Sequence, residues 1–542
     1  MTNHVGTHAM DIPLLLKNLL QQAARHHRHS EIVSVVHGQT YRHTYAECEL
    51  RARKVANALT ALGIRNGDRV ATLAWNDHRH YELYFGITGI GAICHTVNPR
   101  LFLEQLVYIV NDAQDRIFFY SSDFVEIVKQ LVPQCPSVEH WVLIDDAYTA
   151  ENLPSSQLGY EQLLGKQDNS FEWPEFDERT DAFLCYTSGT TGQPKGVIYT
   201  HRATVLHAYA VALPDSQNIS ASEVVLPVVP MFHANAWESP FAATLTGAKL
   251  VLPGGKLDGE SLYRLIEAES VTFSIGVPTI WLNVLAYLHQ NKLKLHTLRR
   301  LLLGGSATPL SMMEDYAKLG VEVTQGWGMT ETAAMTTTAR PLAKHKVLSA
   351  AQVREQVVLT AGRAVAGADV RTVDEEGHEI AWGIGRPGDL QVRAPWVIAR
   401  YFKADAPATV QGWLPTGDIA LIDADGYVRL TDRSKDVIKS GGEWISSVEL
   451  ENLAIAIPGV QLAACIAGKH ERWGERPVLV VQPKVGAQLT EAQVLSAFEG
   501  KVAKWWIPDA VVFVEKLPMT ATGKLFKMAL REQFGDHLIR ST

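Results

Sequence analysis

The chain has 542 residues, of which 46% are hydrophobic and 20% charged, with a formal net charge of -8. That length exceeds one ordinary core and implies several subdomains, the composition is globular rather than disordered or fibrous, and the acidic balance argues against nucleic acid as the main partner. The N-terminus has no basic segment leading into an apolar core, and no apolar run is long enough to span a bilayer, so a cytoplasmic protein without a transmembrane segment is expected.

In chain order, a leucine-rich stretch over 14–24 reads as an amphipathic helix, and His26, His27 and His29 after it read as its solvated end rather than a metal site. A hairpin around His37 and Gly38 follows. Thr44 and Glu47 have capping-box spacing before an apolar stripe of Cys48, Ala52, Val55, Ala56, Leu59 and Leu62, and Gly63 ends that helix. Strand-like runs at 70–75, 117–120, 141–144, 182–186, 224–229, 250–253 and 271–275 alternate with helical patterns, which predicts an α/β architecture with largely parallel sheets. After about residue 362, short strands and tight turns at 370–380, 389–394 and 419–430 predict a small β subdomain. Within it, GIGRPG (Gly383, Gly385, Gly388) matches the dinucleotide fingerprint letter for letter, but a strand follows instead of a helix, so it reads as a loop. From residue 436 the pattern becomes α+β: capping-box spacing at Ser446 and Glu449, strands near 463–467 and 478–481, and a helix over 491–502. The five scattered cysteines (Cys48, Cys94, Cys135, Cys185, Cys465) fit free structural thiols in a reducing compartment.

The most informative stretch is DAFLCYTSGTTGQPKGVIYT, 181–200, where a strand breaks into Thr187, Ser188, Gly189, Thr190, Thr191 and Gly192 and resumes after Lys195. Glycines let successive N–H groups turn toward one concavity, hydroxyls add donors and Lys195 adds positive charge, so the loop suits a polyanion such as the tail of ATP. It is not a Walker loop, because strand rather than helix follows the lysine. GGSATP (304–309) and GWGMTE (326–331) also follow apolar strands, the place where open α/β sheets put ligands.

TSGTTGQPKG resembles the phosphate loop of the adenylate-forming superfamily, which includes acyl- and aryl-CoA synthetases, luciferases and peptide-synthetase adenylation domains. LAWN (73–76), HTVNPRL (95–101), VVPMFH (228–233) and SGGEWISSVELE (440–451) make bacterial medium- and long-chain fatty acyl-CoA synthetases the nearest resemblance, from residue 31 nearly to the end. The resemblance implies a large N-terminal domain (1–434) of α/β subdomains with flanking helices and a small β subdomain, and a small mobile α+β C-terminal domain (435–542) hinged at Lys435. It implies ATP, Mg2+ and coenzyme A as cofactor and co-substrates, with a small carboxylic acid as the other partner; a homodimer is compatible with it.

Residue by residue, the resemblance puts Gly304, Gly305, Ser306, Ala307, Gly326, Trp327 and Gly328 at adenine, Thr330 on phosphate, Glu331 on magnesium, and Asp418 and Arg433 on ribose. Lys524 in TATGKLFK would be the adenylation lysine. Lys439, Gly442 and Trp444 would belong to the coenzyme A channel, where a side chain at Gly442 would obstruct the thiol. The acid pocket would draw on His233, Trp237, Glu238, Val277 and Pro278, with Trp237 as an aromatic gate. Glu238 departs from the family's neutral residue; a carboxylate beside an alkyl tunnel is costly unless paired, which leaves a shorter methylthio or aryl acid as the alternative substrate. A different second half-reaction and a non-catalytic nucleotide-binding protein are the rival classes. Lys524, Glu331 and the intact loop together argue against the last.

Overall fold

The computed structural model describes residues 10–145, 157–187, 193–306, 308–433, 435–441, 443–484, 486–519 and 525–540. Local rules hold where the sequence signals were explicit. The helix Tyr45–Ala61 starts with both bonds of a capping box, Thr44 N–H to Glu47 Oε2 at 2.7 Å and Glu47 N–H to Thr44 Oγ1 at 3.2 Å, and buries Cys48, Ala52, Val55, Ala56 and Leu59. The helix Ser447–Ile455 is likewise capped by Ser446, whose side chain accepts from Glu449 N–H.

Two mixed sheets form the large part of the molecule. One has seven strands in the order Gln157–Gly159, His140–Leu143, Ile117–Tyr120, Arg69–Leu73, Ile93–Thr96, Asp181–Tyr186 and Gly196–Thr200, parallel except for the last pair. The other has nine; its central run of Glu322–Trp327, Arg300–Leu303, Phe273–Gly276, Val224–Pro227, Lys249–Leu252 and Glu31–Val36 is parallel. Gln39–Thr44 pairs antiparallel at one edge, and Thr337–Thr338 and Arg363–Ala364 do so at the other. One continuous apolar cluster joins the two sheets through the helices between them.

A four-stranded antiparallel sheet follows (Asp369–Val373, Gly388–Arg393, Leu414–Ile422, Val428–Arg433). Its strand Gly388–Arg393 begins at the last glycine of GIGRPG, in accord with a loop between strands rather than a dinucleotide site. Only residues 434–437 separate Arg433 from Ile438, the first strand residue of a separate five-stranded sheet with its own core. In that part the expected helix over 491–502 is shorter, Glu491–Ser496. The bonds Ala497 N–H to Val494 O and Phe498 N–H to Leu495 O tighten its end, and Gly500 at φ +72 turns the chain. Among the described residues no helix is long and apolar enough to cross a membrane. All five cysteines are buried and free.

Candidate active site

A cleft of about 930 Å³ opens at the carboxyl ends of the central parallel strands. The chain leaving Val224–Pro227 contributes His233 and Ala234, that leaving Arg300–Leu303 contributes Gly304 and Gly305, and that leaving Glu322–Trp327 contributes Gly328 to Glu331. Thr187 and Lys195 border it from the seven-stranded sheet, Thr416, Gly417 and Arg433 from the four-stranded sheet, and Leu525, Phe526, Lys527, Met528 and Arg531 from the C-terminal part.

At one end, three residues far apart in sequence meet. Trp327 Nε1–H donates to Asp418 Oδ2 at 3.1 Å, and Arg433 Nε lies 2.8 Å from Asp418 Oδ1. Asp418 and Arg433 are register partners on neighbouring antiparallel strands, so sheet pairing sets that ion pair. The glycines here allow close backbone approach. A Cβ on Gly328 would lie 1.9 Å from Ala334 O, and one on Gly304 would lie 2.8 Å from Gly326 O and 3.2 Å from the Trp237 ring.

In the middle of the cleft, Glu331 is 8% exposed, and its Oε1 accepts a hydrogen bond from Tyr401 Oη–H at 2.8 Å. Its Oε2 carries no hydrogen bond among the described residues. The adjoining Thr330 carbonyl accepts from Tyr199 Oη–H at 2.6 Å. Lys195 Nζ sits 5.0 Å from the centre of the Tyr401 ring. A single buried carboxylate with one oxygen left over, facing a cleft with an ammonium across it, suits a hard cation shared with phosphate oxygens, so the donor set fits magnesium bound with ATP. Burial, then the neighbouring Glu331, pushes the Tyr401 hydroxyl well above its usual range, so it remains a donor.

Another wall of the cleft is shaped by the segment after Val224–Pro227. Asn76 holds it, donating from Nδ2 to Pro227 O (3.0 Å) and Val229 O (2.8 Å) and accepting from Met231 N–H at 2.7 Å. Ala234, Asn235, Ala236, Trp237 and Glu238 then run through five consecutive left-handed conformations, φ +40, +52, +51, +53 and +62. For L-residues this costs roughly 1–2 kcal/mol each, strain that surrounding contacts must offset. The turn presents Trp237 to the cleft against Gly304 and Gly305. Glu238 goes the other way, fully buried, and its Oε1 lies 4.0 Å from His207 Nδ1. His207 Nε2 bonds the Met335 carbonyl at 2.7 Å; a carbonyl only accepts, so Nε2 carries the proton and Nδ1 offers a lone pair toward Glu238. Burial raises the Glu238 carboxyl above its ordinary value, against the opposing pull of His207.

Thus the fold brings Thr187, Lys195, His233, Trp237, Gly304, Gly305, Gly326, Trp327, Gly328, Thr330, Glu331, Arg433 and Lys435 to one cleft, with Asp418 just behind. Ser306 is exposed, and Val277 faces Gly305 while Pro278 opens the next helix as a buried residue. Lys439 lies elsewhere, 3.6 Å from Glu375, and Trp444 is its strand partner. Ser188, Gly189, Thr190, Thr191, Ala307, Gly442 and Lys524 lie outside the described residues. Tyr401, Tyr199 and Asn76 hold residues or segments that border the cleft, and the sequence reading gave none of them a role. Tyr401 is 70 positions from Glu331 and no local pattern announces it.

Residues 19–402 match the model of the AMP-binding enzyme family and residues 449–524 that of the AMP-binding enzyme C-terminal domain. The chain is similar to a medium-chain-fatty-acid–CoA ligase of Ectopseudomonas oleovorans, 46% identical over 98% of this chain and 97% of that one. It is similar as well to a 3-methylmercaptopropionyl-CoA ligase of Ruegeria lacuscaerulensis, 47% identical over 98% and 99%. Among solved structures, an anthranilate CoA ligase in complex with anthranoyl-AMP superposes with a TM-score of 0.84 at 25% identity, covering 98% of this chain and 99% of that one.

Proposed function

Because the chain belongs to the AMP-binding enzyme family, we propose that it is an ATP-dependent acyl-CoA ligase for a medium- to long-chain fatty acid, releasing pyrophosphate and then AMP. The observation that carries this reading is the convergence of Lys195, Glu331 and the Trp327–Asp418–Arg433 triad on one cleft. A carboxylate is a poor electrophile because oxide is a poor leaving group. Attack of its oxygen on the α-phosphorus of ATP expels pyrophosphate and leaves a mixed anhydride, whose carbonyl the coenzyme A thiol then attacks, expelling AMP.

Such chemistry is mostly positioning plus charge stabilisation. Trp327 would lie against adenine, and Asp418, oriented by Arg433 and the indole N–H, would accept from the ribose hydroxyls. Thr187, Lys195 and Thr330 would hold phosphates. Glu331 would hold magnesium, which would supply Lewis-acid stabilisation of phosphate charge. Lys524 would stabilise charge as pyrophosphate leaves. In support, Leu525 to Met528 line the cleft. Lys439, assigned with Trp444 to the coenzyme A channel, lies against Glu375 outside the cleft, so rotation about Lys435 would have to bring its segment in for thioester formation. The five buried free thiols fit a reducing, cytoplasmic setting.

A second reading of the acid, a short methylthio or aryl acid, draws on the similar 3-methylmercaptopropionyl-CoA ligase rather than on Glu238, which is buried against His207 away from the cleft. A panel of straight-chain, aryl and sulfur-containing acids, assayed for AMP release with ATP and magnesium in the presence and absence of coenzyme A, separates these readings. Pyrophosphate release without thioester formation would point to a different second half-reaction.

A further inference from the structure

Lys195 and Glu331 carry opposite charges and border the same cleft, yet no ion pair joins them among the described residues. Left adjacent, an ammonium and a carboxylate would close on each other, and each would then be unavailable to a ligand. One side chain touches both, Tyr401. Its hydroxyl holds Glu331 Oε1 at 2.8 Å, and its ring meets Lys195 Nζ at 5.0 Å from the centroid.

The backbone that carries Tyr401 is fastened on both sides. Ile398 N–H donates to the Glu331 carbonyl at 3.1 Å, and Phe402 N–H donates to the Gly196 carbonyl at 2.8 Å, one residue after Lys195. Gly196 is needed for that approach, because a Cβ there would lie 2.8 Å from Phe402 Cβ. Segment 398–402 is therefore a bracket between the two charged elements, with Tyr401 at its centre.

We infer that Tyr401 is a positioning residue with two separable tasks: its hydroxyl turns Glu331 so that Oε2 faces the cleft, and its ring keeps Lys195 and Glu331 from pairing. The ammonium held on the π-face stays available for a phosphate. The carboxylate with one oxygen satisfied presents the other to a cation. This rests on the reading that the cleft takes ATP and magnesium.

The tasks are tested by equilibrium binding of ATP, followed calorimetrically in EDTA and in saturating magnesium, without acid or coenzyme A. Tyr401→Phe keeps the ring and loses the hydroxyl, so affinity in EDTA should stay within about twofold of wild type while the gain on adding magnesium falls roughly tenfold, the scale of one hydrogen bond to a charged group. Tyr401→Ala loses both, so affinity should fall in EDTA as well. Adding Glu331→Gln to Tyr401→Ala should release Lys195, improving ATP affinity in EDTA by more than the same change does in the wild-type background. Equal effects of Glu331→Gln in the two backgrounds would overturn the spacer task. A Tyr401→Phe protein whose melting temperature drops while its magnesium gain is intact would overturn the orienting task. Failure of the functional reading is distinguishable: it appears as wild-type protein that releases no AMP with any acid, whereas the binding ratios need no acid.

Discussion

Asp418 and Arg433 stand opposite each other on adjacent antiparallel strands, and their side chains meet at 2.8 Å while the other Asp418 oxygen receives the Trp327 indole N–H at 3.1 Å. Two donors thus fix the plane of a carboxylate that is only 5% exposed. Replacing it by Asn removes the charge and makes one of the two contacts donor against donor. Asp418→Asn should raise the KM for ATP by roughly 10- to 100-fold, the worth of charge-assisted hydrogen bonds of about 1.5–3 kcal/mol, with a smaller change in kcat. Trp327 emission should shift in the same variant without nucleotide. An unchanged KM for ATP would remove Asp418 from the nucleotide site.

Glu331→Gln should weaken the magnesium dependence of adenylation without preventing folding, because the side chain borders the cleft and glutamine still accepts from Tyr401. The check is pyrophosphate exchange titrated with magnesium, alongside a thermal melt. Magnesium dependence identical to that of wild type would exclude the carboxylate as the metal ligand.

How far the sequence reached is clear from these two places. GGSATP and GWGMTE each follow or end a parallel strand, and those strands were legible as short runs, so the positions of these two walls could be inferred from the sequence. Pairings across the fold were not legible: Trp327 lies 91 positions from Asp418, and only sheet packing brings the two strands together. The left-handed run through Trp237 escaped for another reason. It contains no glycine, the residue that usually signals positive φ, so its conformation comes from tertiary contacts overriding local preference.

Glu238 ends that run, and its burial should make stability depend on pH. Burial raises its carboxyl above the ordinary 4.5, so the folded chain keeps a proton that the unfolded chain releases. Its contribution is fully present below about 4.5 and is lost as pH rises through the higher native value. Glu238→Gln cannot ionise and still offers a donor to His207 Nδ1, so its melting temperature should decline less than that of wild type as pH climbs from the ordinary carboxylate value. Parallel stability curves for the two proteins would contradict the sealed, proton-bearing state.

Trp237 and Glu238 should also set acid selectivity, the first from the cleft wall and the second by fixing the turn that presents it. Trp237→Ala and Glu238→Gly should shift the ratio of kcat/KM for short against long acids by about tenfold or more, the range that a change of one methylene in an apolar pocket produces. Ratios unchanged in both variants would relocate the acid pocket.

The last expectation concerns the two half-reactions. Residues 525–528 line the cleft while Lys439 pairs with Glu375 outside it, so if Lys524 serves adenylation and the Lys439 segment serves coenzyme A, the two would act in different arrangements. The connection between Arg433 and Ile438 is short, and it is fastened from the C-terminal side: Arg531 bonds the Asp436 carboxylate and lies 3.4 Å from the Lys435 carbonyl. Rotation there must break or carry these bonds. Lys524→Ala should therefore lose acyl-adenylate formation by several kcal/mol, on the order of one transition-state charge contact, yet still convert preformed acyl-adenylate and coenzyme A to thioester. Lys435→Pro fixes φ at the hinge and should do the reverse, retaining adenylation while slowing thioester formation. Single-turnover assays of each half-reaction check both. If the two substitutions slow both steps equally, alternation about Lys435 fails and one arrangement must serve the whole reaction.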